Sequence, residues 1–218
     1  NLFSHVIGQI DNDNNGISGI EKFFDYELKT RKDPLELTVD TDIQFLVREE
    51  LLKFEDIFRS KGSAAILMNV KNGNIISMVS LPDFNLNKRE KINDEKYINR
   101  ATKGVYELGS VFKTFTVAAG INEGEIEPGT IFEDLPKSIT CAGRPIREYD
   151  NEIPANLTAE EILIRSGNIG SVRIAQKVGQ EKFKNFLYDL GLLDTLKFDI
   201  EEIGSPLKLK WGKCKLAT

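Results

Sequence analysis

"SAAILMNVKNGNIISMVS", from Ser63 to Ser80, decides the fold. Two apolar runs flank Asn72-Gly73, the strongest short-range signal of a β-hairpin, because glycine enters a positive-φ turn without steric cost. Both runs are apolar at successive positions rather than alternating, so helices are expected on both faces of the sheet they begin. Just upstream, "TDIQFLVREELLKFEDIFRS" sets Ile43, Leu46, Val47, Leu51, Phe54 and Phe58 along one stripe, the pattern of an amphipathic helix with Thr41 as N-cap. Before it, "LELTVD" alternates like a short strand.

Downstream of the hairpin, residues 82–105 are charged and poorly periodic, and 125–157 are loop-like with scattered Pro and Gly. Helical periodicity returns from Ala159 to about Leu190. The expectation is an α+β fold, an antiparallel central sheet covered by helices. Residues 1–35 are expected to be the tail of a preceding domain, and 36–218 a second, larger one.

A chain of 218 residues, 40% hydrophobic with 13 Phe, has ample material for a packed core. A net charge of -5 supplies no basic stripe to neutralise phosphates, which argues against a nucleic-acid partner. No run of about twenty apolar residues is present to span a bilayer. Cys141 and Cys214 fit neither a disulfide framework nor a zinc pattern; they are two free thiols or one bridge. "DNDNNGISGIEK" opens like a calcium loop at Asp11, Asp13, Asn15 and Gly16, but its twelfth position is Lys22 where a bidentate Glu is required. A solvated turn is expected there, and nothing calls for a metal or cofactor. Asn156-Leu157-Thr158 spells a glycosylation sequon, yet Thr158 with Glu161 reads better as a capping box.

The chemistry is expected in "YELGSVFKTFTVAAGINEG" (106–124), where Lys113 stands three residues after Ser110 at the start of an apolar helix. Residues i and i+3 share a helix face, about 5–6 Å apart at Cβ. The unpaired N–H groups and positive dipole end of a first turn favour a serine alkoxide and disfavour an ammonium. To act as a base near pH 7, Lys113 must lose about 3 pKa units, roughly 4 kcal/mol, which burial among apolar side chains can supply. S-x-x-K alone is weak evidence, since Ser205 to Lys208 repeats it in a strand-like setting. The single histidine, His5, lies at the far N-terminal end, which argues against a Ser-His-Asp triad.

A second element supports the reading. The helix opened by Thr158 is interrupted at Ser166-Gly167-Asn168, which leaves a hydroxyl and a carboxamide on a turn between rigid elements. Acyl transfer to serine needs a nucleophile, a base, a proton relay and a group that holds the substrate amide. Ser110, Lys113, Ser166 and Asn168 fit those four roles; a helix–helix corner beside an N-cap serine is the plainer alternative.

With "GISGIEKFFDYEL", "LTVDTDIQFLVREEL", "AAILMNVKNGNIISMVSLPDFN", "NRATKGVYELGSVFKTFT" and "LIRSGNIGSVRIA" in this order, the chain resembles a class B penicillin-binding protein, a peptidoglycan D,D-transpeptidase. The resemblance implies the penicillin-binding transpeptidase and serine β-lactamase-like fold, with 1–35 a pedestal remnant and 36–218 a partial catalytic domain. It implies Ser110 as acylated nucleophile and oxyanion donor through its N–H, Lys113 as base, Ser166 as proton shuttle and Asn168 as ligand of the peptide amide. Stem peptides and β-lactams would bind, and cell-division membrane proteins would be partners. The family's enzyme domain lies outside the inner membrane on a single-pass anchor. Its third motif, K-[ST]-G, is absent from these residues, and Lys61-Gly62-Ser63 has the wrong order and place, so the chain is expected to be part of a longer protein. Asn168-Ile169-Gly170 resembles the division type rather than the elongation type. A β-lactamase would carry a deacylating Glu-x-x-Leu-Asn after the second motif; Glu152 to Asn156 lies before it and has Ala155 at the Leu position. A β-lactam sensor or an inactive scaffold is the remaining alternative.

Overall fold

The computed structural model describes residues 1–88, 95–141, 143–200 and 203–205. Lys208, the strand-like stretch around it and Cys214, all considered above, lie outside the described residues. Two compact units are formed. The first comprises Asn1–Val105 with Thr195–Ser205, and the second is built on Tyr106–Asp194.

The hairpin anchors the first unit. Strand β1 (Ser63–Met68) pairs antiparallel with β2 (Ile75–Leu81), Ser63 opposite Leu81 and Leu67 opposite Ser77. The turn is wider than two residues. The Asn69 N–H donates to Asn74 O at 2.9 Å and the Gly73 N–H donates to Asn69 O at 2.8 Å, with Gly73 at φ 77°. Strand β2 is buried through Met78, Val79 and Leu81, whereas Ile66, Leu67 and Met68 of β1 remain about half exposed. The expected cover on both faces is therefore not met at β1 by the described residues.

Three short helices precede the hairpin, α1 (Ser4–Ile7), α2 (Gly19–Phe23) and α3 (Asp25–Thr30), followed by the long α4 (Thr41–Phe58). The cap of α4 is Asp40, not Thr41: its Oδ1 accepts the Ile43 N–H at 2.9 Å. Either residue type caps well, and the helix starts one position earlier than a Thr41 cap would set it. Of that stripe Leu46, Phe54 and Phe58 are exposed. What pins α4 to β2 is polar. Buried Gln44 donates to Leu2 O and Met78 O and accepts from Ser77 Oγ and the Met78 N–H, at 2.7–3.0 Å. "LELTVD" forms no strand; two hydrogen bonds, Thr38 Oγ1 to Ile75 O and Asp40 N to Ile76 O, tie it to β2. At the calcium-like loop, the Asp11 carboxylate accepts the N–H groups of Asp13 and Asn15, each at 2.8 Å. Among the described residues no cluster of three His, Cys, Asp or Glu side chains could hold a metal.

The second unit holds α5 (Lys113–Asn122), α6 (Ala159–Ile164), α7 (Asn168–Val178) and α8 (Gln180–Asp189) around one core, in which Ala119, Ile162, Ile169, Val172, Ile174 and Phe183 are wholly buried. Helices α6 and α7 approach closely at Gly170, where a Cβ would stand 2.5 Å from Ile162 Cγ1. The capping box at Thr158 and Glu161 is formed. A break not read from the sequence falls at Gly179, φ 81°, which separates α7 from α8. The loop-like region also contains short strands: β3 (Ile131–Phe132) pairs with β6 (Leu157–Thr158), and β4 (Ser138–Cys141) with β5 (Arg144–Arg147), both antiparallel. The fold is thus α+β, with antiparallel pairs and packed helices; the described strands form three two-stranded sheets rather than one central sheet. Cys141 is disulfide-bonded. No described helix is long and apolar enough to cross a membrane.

Candidate active site

Ser110 and Lys113 lie on one continuous helical run. Gly109–Phe112 form a 3-10 turn that leads directly into α5, whose first residue is Lys113. Ser110 therefore precedes the α-helix instead of sitting in its first turn. In 3-10 geometry side chains at i and i+3 eclipse each other, so the three-residue spacing keeps both on one side. Ser110 is exposed, while Lys113 is only 3% exposed.

The Lys113 amine is held at the second motif. Its Nζ contacts Ser166 O at 2.6 Å, Ser166 Oγ at 3.1 Å and Asn168 Oδ1 at 2.5 Å. An ammonium can donate to all three. A neutral amine can donate to two and accept the Ser166 hydroxyl proton, so the arrangement accommodates either state. Burial pulls the Lys113 pKa below the ordinary lysine value, and the Glu148 carboxylate partly offsets that by favouring the cation.

The turn that carries Ser166 is a Schellman motif at the end of α6: the Gly167 N–H donates to Ile162 O at 2.9 Å and the Ser166 N–H to Leu163 O at 3.0 Å. The left-handed position of that motif is normally glycine, yet here it is Ser166 at φ 53°. A side chain in that region costs about 1–2 kcal/mol. The strain directs a hydroxyl at the Lys113 amine, where glycine would supply none.

Asn168 is fixed at both ends of its carboxamide, Oδ1 by Lys113 and Nδ2 by Arg147 O at 2.7 Å. One N–H of Nδ2 stays available for a further acceptor. Sequence reasoning missed Glu148, whose Oε2 accepts the Asn168 N–H at 2.7 Å and whose Oε1 accepts the Ile169 N–H at 2.9 Å. The one available signal was indirect. Helix α7 has Gly167 as N-cap, which has no side chain to cap with, so its first N–H groups need an acceptor from elsewhere.

Lys113, Ser166 and Asn168 are thus brought into direct contact. Ser110 shares the helical run but makes no hydrogen bond to any of the three among the described residues, and its own N–H has no described partner. His5 belongs to the first unit, buried edge-on against Phe84, with Nε2 2.7 Å from Lys96 O.

The family described as penicillin binding protein transpeptidase domain matches residues 63–214. The chain is 32% identical, over 99% of its length, to the probable peptidoglycan D,D-transpeptidase FtsI of Caulobacter vibrioides, of which it covers 37%. It is 27% identical over 94% of its length to the stage V sporulation protein D of Bacillus subtilis, covering 36% of that protein. The chain therefore spans little more than a third of the length of these curated relatives. The crystal structure of penicillin-binding protein 3 from Mycobacterium tuberculosis matches 99% of this chain with a TM-score of 0.85 at 24% identity, and 51% of that chain is covered. At that identity the likeness is one of fold. The family model over residues 63–214 and the 32% identity to the FtsI relative show the same membership: the chain belongs to the penicillin-binding protein transpeptidase domain family.

Proposed function

We propose that this chain carries the nucleophile half of a peptidoglycan D,D-transpeptidase that forms an acyl-enzyme on Ser110. The observation that carries the reading is the Lys113 amine, buried and held by Ser166 and Asn168, on the same helical run as Ser110. In the reaction Ser110 Oγ attacks the carbonyl carbon between the two terminal D-alanines of a stem peptide, and its proton passes to Lys113 Nζ. The tetrahedral oxyanion takes the Ser110 N–H. As the C–N bond breaks, Ser166 relays the proton to the departing D-alanine amine, and Asn168 Nδ2 holds the peptide carbonyl. An amine from a second stem peptide then resolves the ester. A β-lactam would enter the same first step and form the same kind of ester on Ser110.

The same proposal gives residues 1–35 to the end of a pedestal domain and 36–218 to the transpeptidase domain. A septal role is supported by the FtsI relative and by Asn168-Ile169-Gly170. Division proteins of the membrane are the partners this role requires. A disulfide at Cys141 suits an oxidising compartment outside the cytoplasm, with an anchor elsewhere in the polypeptide.

Fluorescent penicillin added to the full-length polypeptide carrying this sequence tests the reading. Stable label is expected, and Ser110→Ala abolishes it. Label surviving in that variant overturns the assignment, and fast, repeated hydrolysis of a chromogenic cephalosporin favours a β-lactamase instead.

A further inference from the structure

The geometry points to Glu148 as a positioning residue: its carboxylate holds the N–H groups of Asn168 and Ile169 and thereby sets the turn that presents Ser166 and Asn168 to Lys113. The inference deepens the transpeptidase reading and rests on it for the chemistry, though not for the geometry.

Three observations converge. First, α7 cannot cap itself, since Gly167 has no side chain and the Ser166 hydroxyl is turned to Lys113. Glu148 supplies one oxygen to each of the first two N–H groups, and a carboxylate at a helix N-terminus also meets the positive end of the dipole. Second, Glu148 is itself rigidly placed. It directly follows β5, its N–H donates to Lys137 O at 3.1 Å, and the preceding Arg147 O accepts from Asn168 Nδ2. The β4–β5 hairpin thus grips Asn168 through both its backbone and its side chain. Third, Glu148 is the charge felt by the Lys113 amine. The elements packed on α5 carry Glu160 and Glu161 on α6, Arg173 and Lys177 on α7, and Glu181, Lys182, Lys184 and Asp189 on α8. None of these contributes to the Lys113 shift, and Lys182 is paired with Glu125 at 2.7 Å.

One carboxylate therefore fixes the relay turn and favours the proton that Lys113 takes from the nucleophile. When Lys113 is neutral, Glu148 holds the turn; once Lys113 is protonated, the same charge stabilises the ammonium.

The test is the pH profile of acylation by penicillin in the full-length polypeptide, with a parallel NMR titration of the Lys113 side chain labelled with ¹³C at Cε. In Glu148→Gln one acceptor oxygen is lost and the charge is removed. Acylation at the high-pH plateau is expected to fall about tenfold, as for loss of a charge-assisted hydrogen bond. The acid limb and the Lys113 titration both move to lower pH, because the anion that favoured the cation is gone. Glu148→Asp is expected to restore the position of both. A residue that merely caps a helix would lower the melting temperature and leave the limb and the titration in place, and that result overturns the inference. Should the wild-type protein take no label at Ser110, the transpeptidase reading fails, and the titration still decides Glu148: a shift in Glu148→Gln upholds the positioning role, and no shift ends it.

Discussion

Replacing Ser166 by glycine and, separately, by alanine divides what its backbone costs from what its hydroxyl does. At φ 53° a residue with a Cβ sits in the left-handed region, at a cost of about 1–2 kcal/mol. Glycine removes that cost but gives back about 0.5–1 kcal/mol through the greater freedom of its unfolded chain. Both variants lose the same contact, Ser166 Oγ to Lys113 Nζ at 3.1 Å, and keep the one from Lys113 to the backbone carbonyl of residue 166. Their difference therefore isolates the conformational term: Ser166→Gly should be more stable than Ser166→Ala by about 0.5–1 kcal/mol. Urea unfolding of both variants measures it. Acylation by penicillin should fall together in both, by about a hundredfold or more, the contribution of a placed proton relay. Alanine matching glycine in stability would refute the strained turn, and a glycine variant acylated at the wild-type rate would refute the relay.

Other outcomes follow from particular contacts. Gly170→Ala puts a Cβ 2.5 Å from Ile162 Cγ1 and should destabilise by about 1–3 kcal/mol in urea unfolding, relieved in part by Ile162→Val in the same chain. Gln44→Leu strips partners from Leu2 O, Ser77 Oγ and both backbone groups of Met78, and should cost about 2–4 kcal/mol by the same measurement. Burial lowers the Lys113 pKa, so its neutral form is present above the folded pKa and is lost as pH falls through it. The acylation rate should accordingly decline on acidification from a limb lying below the ordinary lysine range, and Glu148→Gln should carry that limb lower still.

The hairpin, the long helix and the capping box were legible because each is written locally: Asn-Gly between apolar runs, a 3.6-residue stripe, and Thr158 three residues before Glu161. Cap positions were less so. Asp40 and Thr41 are adjacent and both suitable, and only the accepted Ile43 N–H decides between them. The strands between 131 and 158 escaped notice because two are only two residues long and β5 contains Pro145, so neither alternation nor composition marks them. At the site, the residues that touch Lys113 were legible from S-x-x-K and Ser-Gly-Asn. Glu148 was not, since it reaches the turn from another strand pair with no spacing of its own. Gly170 belongs to the Asn168-Ile169-Gly170 run that resembles the division type. The structure adds a packing reason for it, as no Cβ fits between α6 and α7 at that point.

The central claim is that the Ser110 hydroxyl becomes an acyl ester with the help of the Lys113 amine. Mass spectrometry of a tryptic digest after penicillin treatment of the full-length polypeptide tests it most directly. Cleavage after Lys103 and Lys113 yields "GVYELGSVFK", in which Ser110 is the one serine. The account predicts that this peptide gains the mass of the opened β-lactam and that the adduct is missing from Ser110→Ala. An adduct on any other peptide, that of Ser205 included, or an unmodified 104–113 peptide in the wild-type digest, would contradict it.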